Sequence, residues 1–377
     1  QKIIEKANKL ISTKKYATAY KILNQYDPLN KSNDVFLKKY EIVSKFALSS
    51  KQHRSYALKD LSKNQDIKSL KINLNDLNYF DFKVDLIFDS LLKITPEDCE
   101  LNKLASDHLF DIHIKFGKNW LKSEKEYLKQ MAIYSEKTLK GKCVNDQSYY
   151  KIGYYLINVG KYKESIYFLN QSALKNDKNA MYHYNLSLSY LMTKAPGFAL
   201  IHAKKAYSLY TDSLYKSDAS RMLAEAYFQN NFVDSAIMFY EKAEELDSTT
   251  TNNIASLLNI YLKTSNSKAN DLFIKFYKLD PTNPAIYNQL EQIYSNNALE
   301  NELIKKYEDL LTTYSNDIEI LANLKYYLAR LYSIENTELA IETYLQSKSN
   351  FEKIYKSDHP VFNSIEQSIE QLKELKK

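Results

Sequence analysis

Glycine and proline are scarce, at five and six positions among 377 residues. Antiparallel sheets need Gly, Asn-Gly or Pro at their tight turns, and phosphate-cradling loops need clustered Gly. Their scarcity argues against a sheet protein and against a nucleotide loop. It favours long helices joined by short Asn, Asp, Ser and Lys turns. No run reaches the 18 or so apolar residues that a membrane-spanning helix needs. There is one tryptophan, Trp120, where sugar-binding surfaces usually carry several exposed indole platforms. Dinucleotide, P-loop, zinc-protease and nucleophile-elbow motifs are absent.

Six histidines are present, and only His108 and His113, in DHLFDIH, lie close together in sequence. Five positions put them about 140° apart on a helix, so they cannot share a metal as an i, i+4 pair does. Asp107 and Asp111 share a face there and read as solvated acids. The expectation is a non-enzymatic chain with no catalytic residue, no metal and no cofactor.

Tyrosine is abundant, at 33 residues. Its ring packs into helix seams while its hydroxyl reaches water or a carbonyl. The charge is unevenly spread, with 27 Lys and Arg against 18 Asp and Glu over residues 1–142, and 25 against 28 over 143–377. Lysines on solvated helix faces explain this; an acidic partner near the first third, contacted through Lys38, Lys39 and Lys45, is the sharper reading. The lysines are diffuse and form no basic stripe interleaved with aromatics, so nucleic acid is not an expected partner.

From about residue 148 a two-helix unit recurs. In YYKIGYYLINVGKYKESIYFLNQSALKND, Tyr149, Ile152, Gly153 and Leu156 mark the apolar face of a first helix. Ser165, Leu169 and Ser172 mark the second. Later copies place Leu186, Tyr190, Ala199, Ala203 and Ala206, then Leu223, Tyr227, Ala236, Tyr240 and Ala243, in the same slots. Leu257, Tyr261, Ala269, Phe273 and Phe276 follow, closing on Asp280-Pro281. The residue opening each second helix recurs at Ser165, Ala199, Ala236, Ala269, Leu303 and Ala340, in steps of 34, 37, 33, 34 and 37. Ala or Ser lets two helices approach closely, and Tyr or Phe fills the gap one turn on.

This pattern resembles the tetratricopeptide repeat, whose period is about 34. The resemblance implies an all-α fold, a right-handed α-α superhelix of antiparallel helix pairs. Residues 1–142 are expected to be degenerate helix pairs, with 62–75 an irregular connector. Residues 143–357 form about six repeats, and 358–377 a C-terminal capping helix. KYATAYKILNQYDP looks like a second helix, shortened before Asp27-Pro28. Leu77, Phe80, Val84, Ile87, Phe88 and Leu91 suggest one helical face over 75–93. Thr95 before Pro96 reads as an N-cap, and Ser123 with Glu126 as a capping box.

In such repeats the first helices line a groove. Carried over by position, its residues are Gln147, Tyr150, Tyr154 and Asn158, then Met181, Tyr184, Leu188 and Met192. Next come Asp218, Arg221, Glu225 and Gln229, then Asn252, Asn259 and Lys263. Asn288, Gln292 and Asn296 follow, then Asn323, Tyr326 and Arg330. Seam slots repeat, whereas groove slots run from Tyr and Met through charges to amides. Amides both donate and accept, so they suit the backbone of an extended peptide, although Asn is also simply common here. The paired Lys or Arg that family members use to clamp a C-terminal carboxylate is absent.

The expected function is a scaffold or adaptor holding a partner protein or peptide. Its rivals are a helical-repeat receptor for a small ligand or glycan, and a cytoplasmic adaptor of the same fold. Cys99 and Cys143 fall near the starts of successive first helices, which suits a disulfide; the other reading is two unrelated thiols. The chain begins at Gln1 without Met, and its Lys, Asn, Ile and Tyr content resembles exported proteins of AT-rich bacteria. The expectation is a periplasmic or outer-membrane-associated protein, held peripherally in an envelope assembly, secretion or signalling complex.

Overall fold

The repeat period becomes a structural period through one recurring turn. In a computed structural model that describes residues 1–70 and 73–374, Lys14, Gly160, Lys194, Asn231, Ser265 and Ala298 are left-handed, with φ between 51° and 75°. Each closes a first helix. The following N–H returns to the carbonyl five residues back, as in Lys15 to Leu10 (2.8 Å), Ala195 to Tyr190 (2.9 Å) and Leu299 to Tyr294 (2.9 Å). This is a Schellman closure, usually made with Gly. Here only Gly160 is one.

Five residues after the left-handed position, except after Ser265, comes the small or apolar residue that begins the seam. Ala19, Ser165, Ala199, Ala236 and Leu303 are all fully buried, and so is Ala340 of the last pair. The first pair is therefore α1 (Lys2–Ser12) with α2 (Tyr16–Tyr26), built on the same turn. Its second helix is the one legible in sequence; its first helix is not.

Residues 30–142 depart from the expectation of helix pairs alone. After α3 (Asn33–Phe46) comes a three-stranded antiparallel sheet, β1 (Ser49–Lys51), β2 (Ser55–Ala57) and β3 (Phe80–Asp81), in the order β1-β2-β3. The β1–β2 turn holds Gln52 and His53 at φ 52° and 54°, the twist that hairpins favour. Neither is the Gly or Asn that usually signals it. The connector expected over 62–75 holds short 3₁₀ turns at Ile67–Ser69 and Leu74–Asp76, with residues 71 and 72 outside the described set. Helix α4 begins only at Val84 (Val84–Ile94), so Leu77 and Phe80 do not belong to its face. Phe80 lies in β3 and packs on Tyr20, with ring centroids 4.4 Å apart.

Thr95 closes α4 rather than opening the next helix. Asp98 caps α5 (Cys99–Phe116), its carboxylate accepting from Leu101 N at 3.0 Å. Ser123 and Glu126 form the capping box of α6 (Glu124–Leu139) as read. Cys99 and Cys143 are joined as a disulfide, with Cα atoms 6.0 Å apart. Gly141 makes room for it, because a Cβ there would lie 2.9 Å from Cys99 Cβ.

The array continues with α7 (Asp146–Asn158), α8 (Tyr162–Lys175), α9 (Ala180–Met192) and α10 (Pro196–Leu209). Then come α11 (Ser213–Gln229), α12 (Val233–Leu246), α13 (Thr251–Lys263) and α14 (Ala269–Lys278). Last are α15 (Pro284–Ser295), α16 (Glu300–Thr313), α17 (Ile318–Tyr332), α18 (Thr337–Phe351) and α19 (Pro360–Glu374). The chain is thus all-α in class, made of consecutive antiparallel helix pairs with one small sheet. It divides into two compact units, 1–202 and 203–377, a division that falls within the repeats.

Several seams in both units share one device: a buried hydroxyl on one helix donates to a carbonyl of its neighbour. Ser106 reaches Met131 O at 2.9 Å, Ser187 reaches Ala199 O at 3.0 Å, Ser217 reaches Ala243 O at 2.7 Å and Ser347 reaches Ala322 O at 2.8 Å. A serine small enough for close approach thereby keeps its own polar atom satisfied. The apolar face of α19 (Phe362, Ile365, Ile369, Leu372) is buried against Ala340 and Tyr344, closing the second unit.

Candidate functional site

The first helices of the second unit present most of their assigned groove residues to solvent. Gln229, Asn252, Lys263, Asn288, Gln292 and Asn296 are exposed, while Asp218, Arg221, Glu225, Asn259, Tyr326 and Arg330 are half-buried. Asn323 is buried at 6 % exposure, its amide donating to Glu319 O within α17, so it is no contact residue. The amides are also partly engaged with one another's neighbours. Asn297 donates to Asn259 Oδ1 at 2.9 Å, tying the turn after α15 to α13, and Arg330 donates to Asn288 Oδ1 at 2.9 Å, tying α17 to α15. Gln292 stands beside them on the exposed side.

One acid at this surface had no place among the residues read from sequence. Glu291 follows the seam residue Leu290, and its side chain is only 15 % exposed. Its Oε2 meets Arg330 Nη2 at 2.9 Å. Burial lifts its carboxyl to about 7, against the pull of Arg330. A signal existed in principle: an acid one turn beyond Tyr287, on the flank of the seam, needs a partner from the next repeat.

In the first unit the assigned residues divide differently. Tyr150 is fully buried, packed on Tyr182 with ring centroids 5.0 Å apart, and its hydroxyl accepts from Asn185 at 3.1 Å. It is a seam residue rather than a groove residue, because α7 turns that position toward α9. Asn158 and Met192 are exposed, and Gln147, Tyr154, Met181, Tyr184 and Leu188 are half-buried. The Tyr154 hydroxyl lies 2.7 Å from His113 Nε2, and Gln147 donates to the Tyr182 hydroxyl at 2.6 Å.

The region before the repeats is built around buried charge, against the expectation of solvated lysines and acids. Lys39 is fully buried, donating to Asn24 Oδ1 (3.0 Å), Asp27 O (2.5 Å) and Asn30 Oδ1 (2.8 Å). Burial brings its ammonium down to about 8, opposed by Asp27. It therefore offers nothing to an acidic partner. Lys38 and Lys45 both pair with Glu41, at 2.6 and 2.9 Å.

Asp107 holds the buried Lys151, and Asp111 meets His53 Nε2 at 3.1 Å and Lys115 at 3.0 Å. Burial works against the Asp111 carboxylate, yet those partners hold it down at about 2. His108 is held near 3 by burial, with His53 adding to the effect. Arg54 grips the buried Asp85 through two hydrogen bonds, at 2.9 and 2.6 Å. A cavity of about 350 Å³ adjoins this network, bordered by Asp85, Asp89, His108, Lys122 and Tyr134. Among the described residues no three His, Cys, Asp or Glu side chains converge as a metal site would require.

No protein-family model and no curated protein matches the chain. Several solved structures align with about half of it. YrrB, described as a TPR protein with an unusual peptide-binding site, is 16 % identical, with a TM-score of 0.42 over 54 % of this chain and 96 % of that one. PilF of Pseudomonas aeruginosa is 13 % identical, with a TM-score of 0.42 over 58 % and 96 %. MamA from Desulfovibrio magneticus RS-1, from residue 41 on, is 15 % identical, with a TM-score of 0.40 over 48 % and 92 %.

Proposed function

We propose that this array of tetratricopeptide-type helix pairs is a non-enzymatic scaffold that binds a partner protein, as an extended segment, across the first helices of its second unit. The observation that carries the reading is the contrast between seam and surface on α11, α13, α15 and α17. Their seam residues repeat as Ala, Leu, Ile and Tyr and are buried. Their outer residues do not repeat, and pass from Asp218, Arg221 and Glu225 to Asn252 and Asn259, then Asn288 and Gln292. Packing between helix pairs has no use for that change. A bound segment that is read side chain by side chain does, and exposed amides can pair with its backbone.

The same reading places the chain in an envelope-associated assembly, secretion or signalling complex, in the periplasm or at the outer membrane. The Cys99–Cys143 pairing supports it, because disulfides persist in oxidising compartments. Selection of peptides from a random display library against the whole chain tests the binding claim. Recovered peptides should bind less well to N288A/Q292A than to the natural chain. Equal binding would move the site away from α15.

A further inference from the structure

Among the described residues, seven buried side-chain polar atoms have no hydrogen-bond partner, and four of them sit on α15 and α16: Gln289 Oε1, Glu291 Oε1, Tyr294 Oη and Tyr307 Oη. Buried polar atoms are nearly always paired, so such a group calls for an explanation. The surface beside Glu291 supplies one. A cavity of about 450 Å³ is bordered by Asn288, Glu291, Gln292, Glu300 and Arg330, with Leu331 and Ile334 as its apolar wall. A second, of about 520 Å³, shares Glu300, Leu331 and Ile334 and adds Glu335. Together they make one trough with three carboxylates and one guanidinium. That guanidinium is already committed, to Glu291 Oε2 and to Asn288 Oδ1, both at 2.9 Å.

Chemistry narrows what fits. An anion would meet three carboxylates and a cation already neutralised. A purely apolar group would cover the carboxylates of the trough without giving them a donor, which is unfavourable for acceptors taken out of water. An ammonium or guanidinium on an aliphatic stem meets both needs. We propose that this trough receives a Lys or Arg side chain of the bound segment, its stem along Leu331 and Ile334 and its head between the Glu291 and Glu300 carboxylates. The proposal rests on the peptide-binding reading above and gives one station of that surface its specificity.

Protonation supports the same assignment. The groups whose charge bears on Glu291 are Arg330 and Tyr327 from α17, Tyr307 from α16 and Tyr344 from α18. Burial keeps these three phenols protonated, so Arg330 is the one cation weighed against burial of the carboxyl. With the carboxyl near 7, part of the population is protonated at neutral pH. A second cation arriving beside it expels that proton.

Calorimetry on the whole chain tests this with peptides selected from a random library and re-synthesised with norleucine in place of each Lys or Arg. One position should require the base, norleucine there weakening binding by about tenfold. Binding at pH 7 should release a fraction of a proton, read from the difference in heat between phosphate and Tris buffers. E291Q should abolish both effects while binding the norleucine peptide as well as the natural chain does. E300Q, a change at the half-buried rim, should weaken the preference less and in the same direction. Peptides that bind with no basic preference, or an E291Q chain that keeps the tenfold preference, overturn the inference and leave the peptide-binding reading standing. Failure of every peptide to bind removes both.

Discussion

Residues 33–142 and residues 203–351 are both mainly helical, yet different chemistry holds them. The later region repeats one solution, with Ala or Ser at close approaches and Tyr or Phe in the gaps. Ala236, Ala243, Tyr287, Tyr307 and Ala340 are all buried in this way. Each seam resembles the next, so damage to one is confined to its neighbours. The earlier region repeats nothing. Lys39 and Asp85 are buried there, each among its own hydrogen-bond partners, His108 is buried as a neutral ring among Tyr40, His53 and Phe88, and a disulfide ties α5 to the connection after α6. A repeat can lose a methyl group; a buried charge cannot lose its partner without leaving another atom stranded.

That contrast sets the order of expected effects. Replacing Lys39 by Ala strands three acceptors and opens a cavity, at a cost of about 3–5 kcal/mol. Hydrogen exchange should show the loss in α2 and α3 and not in α15–α18. A Lys39→Met chain that matched the natural one in stability would mean the ammonium contributes nothing.

Acid separates the regions by sign. His108 is neutral in the folded state to about 3, while an unfolded histidine takes up its proton near 6.5. Between those values the unfolded chain holds more protons, so stability falls as pH drops, by about 5 kcal/mol over the whole span. His202, brought down to about 4 by burial and by His183, acts in the same direction. Glu291 acts the opposite way. Its folded value of about 7 lies above the unfolded 4.5, so its contribution is full at low pH and is lost as pH rises through 7. Protection measured against pH should fall on the acid side around α5, and H108Q should flatten that limb. E291Q should flatten the rise-linked loss around α15. A uniform pH response along the chain would contradict both.

Reduction of Cys99–Cys143 should lower stability by about 3–4 kcal/mol for a loop of 44 residues, read as a shifted denaturation midpoint. G141A should act in the same direction, since its Cβ meets the Cys99 side chain. Ala236→Phe overpacks a single seam and should cost about 1–3 kcal/mol, with lost protection confined to α11–α13.

The two regions also differ in how far they can be read from sequence. Seam residues from Ser165 to Tyr344 were legible because Ala, Ser and Tyr recur in steps of 33 to 37 residues, and nearly all are buried. Three kinds of residue escaped. The hairpin turn at Gln52-His53 has no Gly or Asn to announce it, and the Schellman turns at Lys14, Lys194, Asn231, Ser265 and Ala298 have no glycine. Lys39 looks like any helix lysine, because burial by Asn24, Asp27 and Asn30 is a property of the fold. Tyr150 and Glu291 were misread or missed for one reason. Each stands on the border between seam and outer face, and the rotation of its helix against the next repeat decides which side it joins.

The most direct test of the central claim compares two surfaces of the second unit with one selected peptide. N288A/Q292A removes amides from the first-helix face and, as an exposed change, should alter stability by less than about 0.5 kcal/mol per site. Each lost hydrogen bond is worth about 1 kcal/mol, so affinity should fall by about twentyfold or more. M238A/K242A alters the outward side of α12, where Met238 is exposed, and should leave affinity unchanged. A peptide that binds N288A/Q292A at full strength and loses affinity for M238A/K242A would place the binding face on the second helices and contradict the account.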